Sequence, residues 1–177
     1  MPKFNKLSEL DSLDPWLEYV EPYEGESISH YFGRLRRKEA NSISAPTTLS
    51  EVAGIGPALS RWEKFRFNPF PSQQELAAVG RVVRLDVEQL QAMLPAKGEH
   101  LVMRSMRLCG ACYRDSPHHR IHWQYESVEG CEEHRLRLIS RCPACDQKLA
   151  LPVEWVEGAC KRCGMKFESM AKRQKRY

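Results

Sequence analysis

Residues 109–147, CGACYRDSPHHRIHWQYESVEGCEEHRLRLISRCPACDQ, followed by CKRC at 160–163, decide how this chain is read. Cys109 and Cys112 stand two residues apart, and Cys131 and His134 repeat that spacing 18 residues later. Cys142 with Cys145, seven residues on, and Cys160 with Cys163, 14 further, complete the set. Ligands two residues apart let one tight turn aim two side chains at one ion, and two such turns close a tetrahedron. Four half-sites make two complete sites and use all seven cysteines. Pairing in sequence order gives one site of three cysteines with His134 and a second made of the four later cysteines. An interleaved, cross-braced pairing satisfies the same spacing. Gly110, Pro143 and Gly164 suit the turns, Gly164 because a left-handed backbone costs glycine nothing. Two structural zinc ions follow as the expected cofactors.

The surrounding composition supports metal over disulfides. The chain has 177 residues, 42% of them apolar, which suits one ordinary domain or two small ones. It has no run of about 18 apolar residues, so no membrane span is expected. The start, MPKFNKLSELDSLDPWLEYVEP, lacks the apolar segment of a secretion signal. The reading is a cytoplasmic protein, and in that reducing setting an odd number of cysteines points to metal ligands. The formal charge of +4 divides into −2 over residues 1–100 and +6 over 101–177. Seven thiolates and two zinc ions bring the whole near +1, too little to argue for nucleic acid on charge alone.

Outward from the cysteines, residues 1–22 read as an arm with apolar anchors including Phe4, Leu7, Leu10, Leu13, Trp16 and Tyr19. Residues 23–100 read as a helical domain, 101–138 and 139–170 as two zinc fingers, and 171–177 as a basic tail. The first helix is expected from about Glu26 to Asn41, with Ile28, Tyr31, Phe32 and Leu35 on one face. His30, Arg34 and Arg37 share the opposite face, read as a solvated stripe; Arg34 and Arg37, with Trp16 and Tyr19, are the candidate partner contacts. Capping boxes are expected at Thr48–Glu51 and Ser72–Glu75, with Gly54 closing the first of those helices. Gly56 and Pro57 open another helix that runs to about Arg66, and Asp86 with Gln89 opens the last, ending near Leu94. Gly80 is expected to break the chain, making the turn from Gly80 to Leu85 long for a helix-turn-helix. The helix that follows offers no Arg or Lys to a base edge. Arg81 and Arg84 are the candidate phosphate contacts. The fold class is therefore a mainly α N-terminal domain, helix-turn-helix-like and built of short helices, followed by a small α+β tandem zinc-finger region. Both zinc sites are saturated by protein ligands, so no catalytic metal and no small-molecule substrate are expected. His118, His119 and His122 read as surface groups or neighbours of the first site.

Two stretches together resemble a known family. PYEGESISHYFGRL, Pro22–Leu35, is similar to the N-terminal signature of TniQ proteins. Cys109–Cys145, with Trp123 between the first Cys pair and the Cys-x-x-His, is similar to that family's zinc region. The resemblance runs from about residue 15 to 165. It implies a non-catalytic adaptor of Tn7-like transposition, linking a AAA+ ATPase regulator of the TnsC type to a target-recognition module. Longer relatives, of the TnsD type, carry a further part that reads DNA. A chain ending after the second zinc site resembles the short members of CRISPR-associated transposons, where a guide RNA supplies recognition. The implied partners are the ATPase and an RNA-guided effector complex or its guide RNA, with weak non-specific DNA contact and nucleoid association when assembled. The competing reading is a small zinc-containing DNA-binding transcriptional regulator.

Overall fold

The computed structural model describes residues 17–177, so Trp16 and most of the expected arm lie outside the described residues. The N-terminal part holds helices α1 (Ile28–Arg37), α2 (Pro46–Ala53), α3 (Ala58–Trp62), α4 (Gln73–Val83) and α5 (Val87–Ala92). Ile28, Tyr31, Phe32 and Leu35 recur at helical spacing and are fully buried against Leu49, Leu59, Trp62, Leu76, Val79 and Leu90. Ser27 caps α1 by accepting from the His30 amide. Both later capping boxes form, Ser72 with Glu75 and Asp86 with Gln89. Gly54 closes α2 in the left-handed region.

Four local expectations are corrected. The first helix starts at Ile28 and stops at Arg37 rather than spanning Glu26 to Asn41. The Thr48–Glu51 capping box does not form, because α2 begins at Pro46, whose fixed φ suits the first helical position. Ser50 lies inside the helix and accepts from the Leu59 amide instead. Pro57 is the N-cap of α3, which ends at Trp62, short of Arg66. Helix α4 also runs straight through Gly80. A side chain there would strike the Leu85 carbonyl, so the glycine permits close packing rather than breaking the helix. The link to α5 is therefore only Arg84, Leu85 and Asp86, with Arg84 left-handed at φ 60°.

The C-terminal part has α6 (Gly110–Asp115), the antiparallel pair β1 (Gly130–Cys131) and β2 (Leu136–Arg137), and α7 (Phe167–Met170). Short 3-10 turns lie at Ile121–Gln124, Pro152–Glu154 and Ala171–Arg173. Gly130 pairs with Arg137 and Cys131 with Leu136. A second core gathers Leu108, Trp123, Trp155, Phe167 and Met170 around the buried cysteines, and Phe65 reaches it from the helical part. The basic tail folds back: Arg176 bridges to Leu136, the Tyr177 amide donates to the Arg135 carbonyl at 2.8 Å, and the Tyr177 ring lies over Gly130.

The two parts meet along a polar seam on α1. Ser29 Oγ donates to the Glu63 carbonyl at 2.7 Å and accepts from the Val153 amide at 3.1 Å. Arg37 donates to the Val153 carbonyl and, at 3.1 Å, to the Trp155 carbonyl. A side chain on Gly33 would sit 2.6 Å from the Val153 carbonyl oxygen and 2.8 Å from its Cα, so glycine sets how closely the turn rides on α1. The expected solvated stripe is thus corrected. His30 is buried and Arg34 half-buried, while Arg37 stays exposed as expected and also donates to backbone carbonyls of Val153 and Trp155.

Candidate metal centres

The cysteine pairs come together in sequence order. Cys109 is the N-cap of α6 and Cys112 lies in its first turn, while Cys131 ends β1 and His134 occupies the turn into β2. The ligand atoms of these four lie within 4.8 Å of one another, as do those of Cys142, Cys145, Cys160 and Cys163. This geometry forms the sequential arrangement, not the interleaved one. Thiol pairs stand at 3.3 Å (Cys112 to Cys131) and 3.6 Å (Cys142 to Cys163, Cys145 to Cys160). A disulfide needs about 2.05 Å, whereas a tetrahedron of zinc–sulfur bonds near 2.3 Å spaces its sulfurs at about 3.8 Å. His134 Nδ1 faces Cys112 Sγ at 3.3 Å and Cys131 Sγ at 3.6 Å, against about 3.6 Å for an imidazole and a thiolate on one zinc.

The surroundings fit a cation as well. His134 Nε2 meets Asp115 Oδ2 at 2.9 Å, which presents Nδ1 as the ligand atom, and such a carboxylate fixes ring orientation and raises ligand basicity. Without a cation the thiols oppose one another. The hydrogen bond from Cys112 is the first cause holding Cys109 down to about 5, and the same contact pushes Cys112 up.

In the second centre each pair sits at the tip of a miniature hairpin, closed by Arg141 against Lys148 and by Ala159 against Lys166. The Asp146 amide donates to the Cys142 carbonyl and the Gly164 amide to Cys160, both at 2.9 Å. Asp146 and Gly164 are both left-handed, at φ 58° and 72°. Gly164 plays its expected part. Gly110 serves a different need, since a side chain there would strike the Phe167 carbonyl at 2.6 Å. Both centres offer four protein donors, the arrangement of a closed structural site.

The three spare histidines join neither centre. His119 is 0% exposed, with Nδ1 2.9 Å from Ser27 Oγ and its ring among Phe65, Trp123 and Trp155. His118 is buried too, stacked on Tyr23 and donating through Nε2 to the Glu24 carbonyl at 3.1 Å. Reading them as surface groups is therefore corrected. Burial holds His118 down to about 4 and keeps His119 well below the usual imidazole range. His122 is half-buried and also lowered by desolvation.

Glu26 is the buried charged residue that helical periodicity missed. It is 0% exposed and accepts from Arg34 at 2.7 and 2.9 Å, from His30 Nδ1 at 2.5 Å and from the Tyr23 amide at 3.0 Å. Burial alone raises its carboxyl, but the Arg34 and His30 hydrogen bonds outweigh that and the net shift is downward. His30 is lowered, first by burial, so a neutral ring donates to a charged carboxylate. Ser29 and Gly33 of the seam lie in the stretch Pro22–Leu35, and Arg37 follows two residues beyond it.

Residues 19–138 match the TniQ family. The chain belongs to that family. Its matched span runs from the arm through α1–α5 and the first metal centre to the end of β2, and the second centre lies beyond it. A search of curated proteins finds no match. TniQ proteins are adaptors associated with transposition, non-catalytic in general. The TniQ signature gains a physical reading here, since the Glu26 backbone, bridged to Arg120, and Ser27, Ser29 and Gly33 build the seam to the C-terminal part.

The remaining candidates are dispersed. Tyr19, Arg34 and Arg37 line one cleft of about 1090 Å³, closed on its far side by Trp155 and Val156. Arg34 and Arg37 are tied into the seam, whereas Tyr19 is exposed. Arg81 is exposed on α4. Arg84 donates to the Leu17 carbonyl at 2.9 Å and lies 5.7 Å from the Tyr19 ring centre, so it holds the arm. Among the described residues no helix is long and apolar enough to cross a membrane.

Proposed function

We propose that this chain is a non-catalytic transposition adaptor. It joins a AAA+ ATPase regulator of the TnsC type to an RNA-guided target complex, and carries two structural zinc ions on Cys109, Cys112, Cys131 and His134 and on Cys142, Cys145, Cys160 and Cys163. The observation that carries the reading is the TniQ match over residues 19–138. Two four-donor centres support a scaffold in place of a reaction site. The cleft containing Tyr19, Arg34 and Arg37 is the proposed ATPase face, and exposed Val156 on its rim supports it. Trp16, three residues before Tyr19, belongs to the same proposal. The protein acts in the bacterial cytoplasm and meets the nucleoid only when assembled, touching DNA weakly through Arg81.

One observation favours the DNA-regulator alternative: the three-residue link between α4 and α5 has the length of a helix-turn-helix turn. Against it, α5 reads VEQLQA and brings no cation to a groove. The deciding experiment measures association of the zinc-loaded protein with the purified ATPase, alongside duplex binding across a salt series. Tyr19→Ala and Val156→Asp should weaken ATPase association with zinc content unchanged. Salt-resistant, sequence-specific duplex binding lost with Arg81→Ala would replace the adaptor reading with the regulator.

A further inference from the structure

A second groove, of about 1110 Å³, lies where the helical part meets the zinc part and shares no lining residue with the cleft. One wall is an aromatic ladder. Phe65 is buried, Phe67 lies 6.2 Å away and packs against both cores, and Phe70 follows at 6.1 Å with 52% of its surface exposed. The lining also includes Met103, 51% exposed, and buried Leu94. Isolated exposed apolar side chains are ordinary; two that line one apolar trough reaching both cores are not.

The lip decides what fits. Arg66 and Lys97 are exposed there, and neither forms an ion pair among the described residues. The lip's carboxylate, Glu99, is already engaged, accepting from Ser127 Oγ at 3.1 Å. The groove thus offers an apolar lining beside two exposed cations, unpaired among the described residues, and one carboxylate, leaving the lip net positive. Nucleic-acid phosphates would meet two cations and a hydrophobic lining, a poor match. A peptide with large apolar anchors and adjacent acids meets both features.

We infer that this groove docks a linear segment of a partner protein, carrying two large apolar side chains flanked by Asp or Glu. The inference rests on the adaptor reading and deepens it, because an adaptor must hold two partners at once and the two clefts differ in place and chemistry. The polar cleft takes one and the apolar groove takes the other.

The test pans a phage-displayed library of random peptides on the full-length, zinc-loaded protein, then measures synthetic copies of the enriched peptides by fluorescence anisotropy. The expected consensus pairs large apolar residues with neighbouring acids. Phe70→Ser should weaken binding at least tenfold, as should Arg66→Glu with Lys97→Glu, while Tyr19→Ala leaves it unchanged. Should Phe70→Ser lose zinc or helicity, Met103→Lys, also in the lining, carries the same expectation. Basic consensus peptides, no enrichment, or indifference to all groove variants would overturn the proposal. So would either competing occupant. A tenfold gain in peptide affinity on Leu7→Asp with Leu10→Asp would assign the groove to residues 1–16 of this chain, and a dimer abolished by Phe70→Ser would assign it to a second copy. If the wild-type chain ignores the ATPase yet selects the acidic consensus, the adaptor reading fails and the groove stands. If groove variants keep ATPase association and lose the peptide, both stand.

Discussion

Replacing Glu26 with Ala removes the carboxylate beneath α1 and leaves three donors behind: the Arg34 guanidinium, the His30 ring and the Tyr23 amide. Breaking one side of a buried ion pair costs about 3–5 kcal/mol, because the surviving charge stays desolvated. Here the surviving charge has partial relief, since Arg34 is 23% exposed and lies 4.4 Å from the Tyr23 ring centre. That places the loss at the lower end, about 3 kcal/mol, or roughly 6–12 °C in Tm for a chain of this size. Urea denaturation of the zinc-loaded protein followed by circular dichroism would measure it. Glu26→Gln should cost less, because the amide oxygen still accepts from His30 or Tyr23. Glu26→Ala with Arg34→Ala should fall well short of the sum of the single variants, since both remove the same pair. The Glu26 pKa is depressed, so its contribution is present above the unfolded value near 4.5 and is lost as pH falls through the folded one. A loss below about 1 kcal/mol, or strict additivity, would refute the buried clamp.

Gly33→Ala should destabilise by about 1–3 kcal/mol despite alanine's better helix propensity, because the new methyl meets the Val153 backbone; a more stable variant by the same denaturation would contradict this. Metal analysis should find two zinc ions per chain, falling to about one in Cys131→Ala, and a strong chelator should unfold the core around Trp123 and Trp155 while part of the helical signal of α1–α5 survives. Asp115→Asn should keep both zincs but weaken the first centre about 10–100-fold in a chelator competition, through the lost partner of His134. The His118 ring, followed by NMR, should stay neutral on acidification until pH approaches about 4. Its folded pKa lies below the unfolded value near 6.5, so its contribution to stability declines as pH drops below about 6.5, and a midpoint near 6.5 in the folded protein would show that the ring is solvated.

The two four-residue clusters were legible because ligand spacing is a local property: two residues apart is one turn, and four half-sites make two clusters. The capping boxes at Ser72 and Asp86 were legible for the same reason. Thr48–Glu51 satisfied that pattern equally well and lost to Pro46, a competition that a four-residue motif does not display. The seam on α1 was hidden because periodicity marks an apolar face only. The face toward the metal-binding part is buried yet polar, since it meets backbone groups of Val153 and Trp155 and needs donors and acceptors, not methyls. His119 misled likewise, a neutral ring enclosed by aromatics that composition cannot tell from a surface imidazole. Gly80 looked like a helix break, and it turns out, like Gly33, to admit a neighbouring backbone.

The turn at Pro152–Glu154, with Trp155 and Val156 after it, is strung between Cys145 and Cys160, so the second metal centre ties down the segment that forms one wall of the Tyr19 cleft. If zinc fills that centre and a partner the cleft, as proposed above, metal occupancy and cleft geometry are linked equilibria. Each tenfold rise in free zinc above its dissociation constant adds about 1.4 kcal/mol in favour of the ordered wall. By reciprocity, whatever binds across the cleft tightens the hold on that zinc by the same factor that zinc tightens the cleft's hold on it. On the proposed reading, cellular zinc supply would be a thermodynamic input to assembly, acting at a distance from the residues the partner touches.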